Sequence, residues 1–317
     1  MIGLPSPIVT EDEVGPERHS RVWRQLRRNP AFWIGAIGVT IITMLAVLAP
    51  VVAPYDPLFQ FRRDGLTPAG DPLGPSVRFL LGTDKLGRDE LSRILFGART
   101  SLLVGVVGAL TATFIGVAIG ATAGFAGDRR SMVHVRRRHI LTVPLPVESL
   151  LMRLTDAVLS FPILLLAIAL VAVVGSSLNL VVVLVAAFLW TTVARIVYSR
   201  VRSLRDADFV MAARALGAGS RRILGRHILP QLTSIVIVYA TLGIGTAILF
   251  EATLSFLGVG VPAPTPSWGS MIFEHVGYYS SDPRVVLVPG LAIMITILAF
   301  NLLGDALADA LDPHHWR

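Results

Sequence analysis

Few side chains in this sequence could do chemistry, and their placement says what kind. There is no cysteine, so thiol nucleophiles, thiolate metal sites and disulfides are excluded. No His-Glu-x-x-His pattern and no Ser/His/Asp constellation stands out, and His314-His315 is too isolated to be a metal site, so neither a catalytic residue nor a metal is expected. Nucleotide hydrolysis needs a Gly-rich turn followed by Lys and Ser/Thr. The one lysine, Lys85, precedes Leu86 and lies in no such turn, so no nucleotide cofactor is expected in this chain. What remains is charge in apolar surroundings. Glu251 follows the 23 uncharged residues 228–250, and Asp156 and Arg195 flank the uncharged run 157–194. A charge at such a position needs water or a partner, which makes all three candidates for a gate or a solute pathway. The alternatives are a structural hydrogen bond for Glu251 and simple snorkelling for Asp156 and Arg195.

These charges sit among segments that read as membrane spans. The chain is 53% apolar and 15% charged. Runs 31–53, 100–127, 157–194, 228–250 and 285–304 contain no Asp, Glu, Lys or Arg. A span needs only about 20 such residues. The run 157–194 is long enough for two, with Gly175-Ser176-Ser177-Leu178-Asn179 as the hairpin between them. The expectation is an all-α integral membrane protein with six transmembrane helices.

The net charge of +7 rests on arginine and reads as topology, not as nucleic-acid binding. With the N-terminus inside, 20 of the 28 basic residues fall on the inner side, which favours cytosolic N- and C-termini. The first apolar run follows Arg18, Arg21, Arg24, Arg27 and Arg28, exceeds a signal-peptide core and has no clean cleavage site. It reads as a retained helix. Residues 1–28 then form a cytosolic tail, disordered over 1–20; 29–99 hold the first helix and an outer loop; and 100–317 hold a five-helix core.

Three further stretches carry expectations. Gly108, Ala112, Gly116, Gly120 and Gly124 recur every fourth residue, a small-residue stripe that lets another helix come close. In the outer loop, Asp84 or Asp89 can cap a short helix at the membrane surface, its charges otherwise simply solvated. The segment 128–148 is rich in arginine and proline and reads as a solvated loop, with contact to anionic headgroups as the alternative.

The most specific stretch is 206–231, DADFVMAARALGAGSRRILGRHILPQ. Asp206 or Asp208 can cap a short helix, Phe209, Ala212, Ala213 and Leu216 fall on one face of it, and Gly217 supplies a left-handed stop. Ser220 can cap a second helix bearing Arg221, Arg222 and Arg226 before Ile228-Leu229-Pro230 opens the next apolar run. From the residues alone, this is either a docking element for a soluble partner or an inner loop packed on its own bundle.

Ala212-Ala213, Gly217 and Ile228-Leu229-Pro230 resemble the Glu-Ala-Ala…Gly…Leu-Pro loop of ABC-importer permeases. Met211 stands where that loop often has an acid. The string GTDKLGRDELSRILFGARTSLLVG at 82–105 and the segment 251–269, with Trp268 as an interfacial anchor, resemble the C-type permease of dipeptide and oligopeptide importers. Relatives of this kind run almost directly from the glycine-rich helix to a motif like Met152-Arg153-Leu154-Thr155-Asp156, so most of 128–148 looks inserted.

The resemblance implies the type I ABC importer permease fold with a cytosolic coupling helix, in a bacterial-type inner membrane. It also implies the partners: a second homologous permease, two ATP-binding subunits that hold ATP and magnesium, and an extracytoplasmic substrate-binding protein. The coupling residues it implies are Asp208, Phe209, Ala212, Ala213, Leu216, Gly217, Arg221 and Pro230. Nickel, glutathione-like compounds and oligosaccharides are alternative solutes, and a membrane enzyme or stand-alone channel is the alternative class. A Gly219→Cys variant of this cysteine-free chain tests the topology: an impermeant thiol reagent is expected to label it only from the inner side, and labelling from outside would overturn the arrangement.

Overall fold

The computed structural model describes residues 16–127, 133–135, 139–141 and 147–311, with side chains placed over 22–127 and 147–311. Among the described residues, five helices are long and apolar enough to cross a membrane: α2 (Pro30–Val52), α3 (Glu90–Ala126), α6 (Leu178–Arg205), the continuous stretch Ser220–Phe256, and α11 (Arg284–Leu311). A sixth crossing is made if α4 (Val147–Ser160) and α5 (Ile163–Val174) count as one span, bent by 79°. The bend has a local cause. Pro162 lacks an N–H and disfavours helical backbone at Phe161, so the helix breaks between them.

Caps fix the remaining ends. The Asn29 side chain accepts from Ala31 N at 2.9 Å with Pro30 in the first turn of α2, and Ser177 accepts from Leu180 N at 3.2 Å at the start of α6. Gly175, at φ +86°, closes α5 where the hairpin was expected. Four short helices complete the set: α1 (Pro16–Arg28), α7 (Asp208–Ala215), α8 (Ser220–Arg222) and α10 (Trp268–His275). A π-helical turn, Ile223–Ile228, joins α8 to α9 (Leu229–Phe256). Two short strands, β1 (Val133–Val135) and β2 (His139–Leu141), pair antiparallel with Val133 opposite Leu141.

The spans pack around α3. A Cβ on Gly116 would lie 2.6 Å from Val193 Cβ and 2.8 Å from the Trp190 carbonyl; on Gly124 it would lie 2.8 Å from the Tyr198 carbonyl; on Gly120 it would run into the Ala194 carbonyl. The stripe therefore brings the α3 backbone against α6 of the same chain. On its other sides α3 meets α9, where a Cβ on Gly105 would lie 2.5 Å from Ile248, and α2 and α10. α2 and α11 approach equally closely at Gly35, where a Cβ would lie 2.6 Å from the Leu303 amide. The outward faces of α2 and α11, among them Ile34, Val47, Val51, Met294 and Leu298, are exposed apolar surface suited to lipid.

Several expectations are corrected. The tail is helical from Pro16 and not disordered through residue 20. α3 begins at Glu90, so helix runs straight through the boundary drawn at 99/100, and no separate surface helix precedes it. Asp89 caps α3 itself by accepting from Ser92 N at 2.8 Å. α11 does not end before Asp305 but continues past Asp309 to Leu311. Within the arginine-rich segment, 133–135 and 139–141 form a hairpin where a loop was expected, while 128–132, 136–138, 142–146 and the pair His314-His315 lie outside the described residues.

The stripe yields a direct test. Gly116→Ala should lower the thermal stability of the purified protein in detergent by about 1–3 kcal/mol, the usual cost of overpacking, because the new methyl meets backbone. Gly290→Ala, with nothing within 4 Å of its Cβ, should not. Equal stability of the two variants would mean that the helices do not approach this closely.

Candidate functional site

The loop between α6 and α9 is built from the packing of one short helix. α7 turns Val210 fully into a cluster of Ala121 and Phe125 from α3, Val193, Val197 and Val201 from α6, and Ile223, Ile228 and Leu232 from the π turn and α9. Ala213 packs against the same cluster, half-buried. The other side carries Phe209, Met211, Ala212 and Leu216, all exposed, Leu216 to 89%. The two alanines thus part company: Ala213 faces the bundle and Ala212 faces out. The helix stops at Gly217, φ +82°, whose N–H donates to Arg214 O at 2.9 Å while Ala218 N donates to Ala213 O at 3.0 Å. An L side chain is penalised in that left-handed conformation whatever the space around it.

Capping differs from expectation. Ala207 is the N-cap of α7 and Gly219 that of α8, neither with a side-chain cap bond. Asp208 lies in the first turn of α7, and Asp206 is 3.4 Å from Arg205 Nε. Beyond α8 the ladder widens by one residue: Leu229 N donates to Leu224 O, five positions back, and Pro230 has no N–H to give. Arg221, Arg222 and Arg226 project exposed from this turn.

At the opposite end of the bundle lies an ionic cluster that the sequence reading took for solvated loop. Asp84, Arg88, Arg93 and His275 are buried, and Glu274 is largely so. Asp84 accepts from Arg88 Nε at 2.5 Å and from the Leu86 and Arg88 amides at 2.8 and 2.9 Å. Glu274 accepts from Arg88 Nη2 at 2.5 Å and Arg93 Nη2 at 3.0 Å, and Lys85 Nζ donates to the Glu274 carbonyl at 2.6 Å. Arg284, at the start of α11, reaches the carbonyls of Leu73, Leu81 and Thr83. The sequence signal was present, since Asp84 and Arg88 are four apart and Arg93 lies one turn into α3. Glu274 and His275, nearly 190 positions further on, could be added only by the fold. Asp84, Glu274 and His275 have the donor types of a metal site. The two guanidiniums already balance the two carboxylates, both reaching Glu274 Oε2 and lying against Asp84 Oδ2, which leaves no charge incentive for a dication.

Burial holds the His275 imidazole below its ordinary value, outweighing the Asp84 carboxylate 3.9 Å from Nε2. The ring is therefore neutral, its Nδ1–H donating to Met271 O at 2.7 Å.

The three gate candidates separate. Glu251 is fully buried between α3, α9 and the loop before α10, accepting from Ser101 Oγ at 3.1 Å and Ser255 Oγ at 2.7 Å. Those serines in turn accept from Trp268 N and Val261 N, at 3.3 and 3.2 Å. These bonds tie α9 to α3 and to the loop before α10. Trp268 shares in them and is corrected from interfacial anchor to core residue: it is 2% exposed, with Nε1 donating to Ile94 O at 3.1 Å. Asp156 and Arg195 are brought together at 2.5 Å, both more than half exposed, where such a pair contributes about 0–1 kcal/mol.

Long apolar helices ringed by exposed apolar faces, with a short helix held between two of them, define a polytopic helical membrane protein. Comparison with known proteins gives the family. Residues 144–317 match the model for the binding-protein-dependent transport system inner membrane component, and 19–68 match the N-terminal TM domain of oligopeptide transport permease C. The chain belongs to this family of binding-protein-dependent transport permeases. It is 40% identical over 300 residues to the di/tripeptide transport system permease protein DppC of Pseudomonas aeruginosa, covering 95% of this chain and 93% of that one. It is 41% identical over 311 residues to the glutathione transport system permease protein GsiD of Escherichia coli, covering 97% and 94%. Among solved structures, the MetNI methionine ABC transporter, in an inward facing conformation, aligns with a TM-score of 0.53 at 17% identity, over 69% of this chain and 96% of that one. At that identity the match speaks for the type I importer fold alone.

The buried imidazole predicts a pH dependence. Its folded value lies below the unfolded one, so its contribution to stability is complete above about pH 6.5 and is lost as pH falls through the lowered folded value. His275→Asn, which keeps a donor for Met271, should flatten the fall in melting temperature as pH drops below about 6.5. An unchanged slope would show that other groups set it.

Proposed function

We propose that the chain is half of the translocation pathway of an ATP-driven importer for short peptides. It would pair with a second homologous permease and couple through α7 to two ATP-binding subunits, while an extracytoplasmic binding protein delivers the solute. The observation that carries the coupling role is the divided packing of α7. Val210 and Ala213 fix it to α3, α6 and α9, while Phe209, Ala212 and Leu216 are left as an apolar face with no partner among the described residues. A helix bolted to three spans and bare on its outer side transmits force without bending. Nucleotide-driven closure of the partner subunits would move α7, and with it the three spans, between inward- and outward-open arrangements. Such a coupling needs contacts that differ between the two states, and the exposed face supplies them. This role places α7 and both termini in the cytosol.

The relatives' names support di- and tripeptides, and glutathione, itself a tripeptide, is the second reading. Calorimetry on the cognate binding protein with dipeptides, tripeptides and glutathione decides between them.

The geometry also sharpens which alanine to test. Ala213→Trp would disturb the chain's own bundle, whereas Ala212→Trp adds bulk only to the outer face. Overpacking a tight contact costs about 1–3 kcal/mol, so Ala212→Trp should weaken coupling about tenfold or more. Met211→Glu, which restores an acid at the loop's usual position, should be tolerated. The readout is ATP hydrolysis by the reconstituted complex, with and without binding protein and peptide. Normal stimulation in Ala212→Trp would mean that this face docks nothing.

A further inference from the structure

α1 lies at the same end of the bundle as α7, since the spans alternate in direction from Pro30 to Leu311. It is held against α11. Gln25 Nε2 donates to Asp309 O at 3.2 Å on α11, and Leu26 is buried at 7% exposure. The opposite side presents Trp23, Arg24, Arg27 and Arg28, all exposed, with the Arg27 guanidinium 5.4 Å from the Trp23 ring. Asp305 and Asp309 stand on the neighbouring helix, yet none of the three arginines forms an ion pair among the described residues.

The end of α1 is placed against the lipid-facing side of the first span. Trp33, in the first turn of α2 and 45% exposed, donates from Nε1 to Arg27 O at 3.1 Å, and the exposed apolar face of α2 continues from Trp33 to Ile34 and Ile37. Trp33 therefore sits where the apolar face begins, and the arginine carbonyl bonded to it sits at the same level. Indole rings prefer the interfacial depth of a bilayer, and basic side chains of an amphipathic helix lying there meet phosphate oxygens.

We propose that Trp23, Trp33, Arg24, Arg27 and Arg28 form a binding surface for anionic phospholipid headgroups of the leaflet at the α7 end. The occupant follows from the chemistry. Three exposed guanidiniums with no ion pair among the described residues call for negative charge, and two exposed indoles at the margin of an apolar face call for a membrane surface. An acidic protein surface would satisfy only the first. Bound headgroups would fix α1 in the plane of the interface and so steady the α11 end it covers. The proposal needs neither the peptide reading nor the coupling role, because it rests on this end of the chain alone.

The test uses the full chain in nanodiscs of phosphatidylcholine doped with a small, equal fraction of brominated phosphatidylglycerol or brominated phosphatidylcholine. Tryptophan quenching is read against a Trp23→Phe/Trp33→Phe variant, whose loss of signal isolates these two rings. Brominated phosphatidylglycerol is expected to act as though enriched about fivefold at the site, the worth of roughly one basic side chain near an anionic leaflet. Arg24→Gln/Arg27→Gln/Arg28→Gln should abolish that preference and leave quenching by brominated phosphatidylcholine intact. If the triple variant fails to insert, the native chain still decides: raising ionic strength to about 0.5 M should remove most of the preference. Equal quenching by the two lipids, or a preference that survives the triple substitution or the salt, would overturn the proposal. Protection of both rings from either lipid would overturn it too, and would mean that protein covers this face.

Discussion

The backbone contact between α3 and α6 is the constraint on which the rest depends. Lipid tails are as apolar as leucine, so helices in a bilayer gain little from burying large apolar side chains against one another. They associate where small residues let backbones meet. The stripe from Gly108 to Gly124 supplies that contact for four turns, with Val185, Trp190, Val193, Ala194, Val197 and Val201 filling the grooves. A seam held by shape at every turn cannot slide by fractions of a turn. Both helices therefore carry their ends as one body.

The two ends of that body are treated differently. At one, Arg88, Arg93 and Arg284 tie the loop before α3 to α10 and α11 through buried charges, an arrangement that costs desolvation and is offset by the ion pairs to Asp84 and Glu274, although Arg93 Nε and Nη1 and His275 Nε2 lack hydrogen-bond partners. Breaking any partner would strand a buried charge, so this end is rigid. At the other end, α7 is held through apolar contacts of Val210 and Ala213, and the ladder beside it is loosened by a π turn and Pro230. One end is thus closed by buried charge, and the other carries a short helix held by apolar contact to three spans.

The membrane class, the spans and the special loop could be read from the residues because each rests on a local rule. About 20 uncharged residues make a span, and a small residue every fourth position makes a seam. Gly217 was legible as a left-handed stop because no other residue type adopts that backbone so readily. The pattern could not say which helix the stripe would meet, nor that Ala212 and Ala213 face opposite ways. Adjacent helical residues point about 100° apart, and only the position of Val210 against α3 and α6 decides which of them is inside.

By itself, then, the sequence determined that this is an all-helical membrane protein with a helix–Gly–helix loop, because hydropathy, arginine placement and glycine spacing act over a few turns of chain. Tertiary structure alone decided the fate of the charges. Asp84, Arg88 and Arg93 read as solvated because nothing nearby in sequence covers them. They are buried because α10 folds back over the start of α3, bringing Glu274 to within 3.0 Å of Arg93 across 181 positions. Glu251, which the sequence left between a pathway residue and a structural hydrogen bond, finds its partner in Ser101, 150 positions before it on the helix packed alongside. Whether a charge in an apolar chain faces water, solute or a partner depends on groups distant in sequence, and only the folded chain brings those groups together.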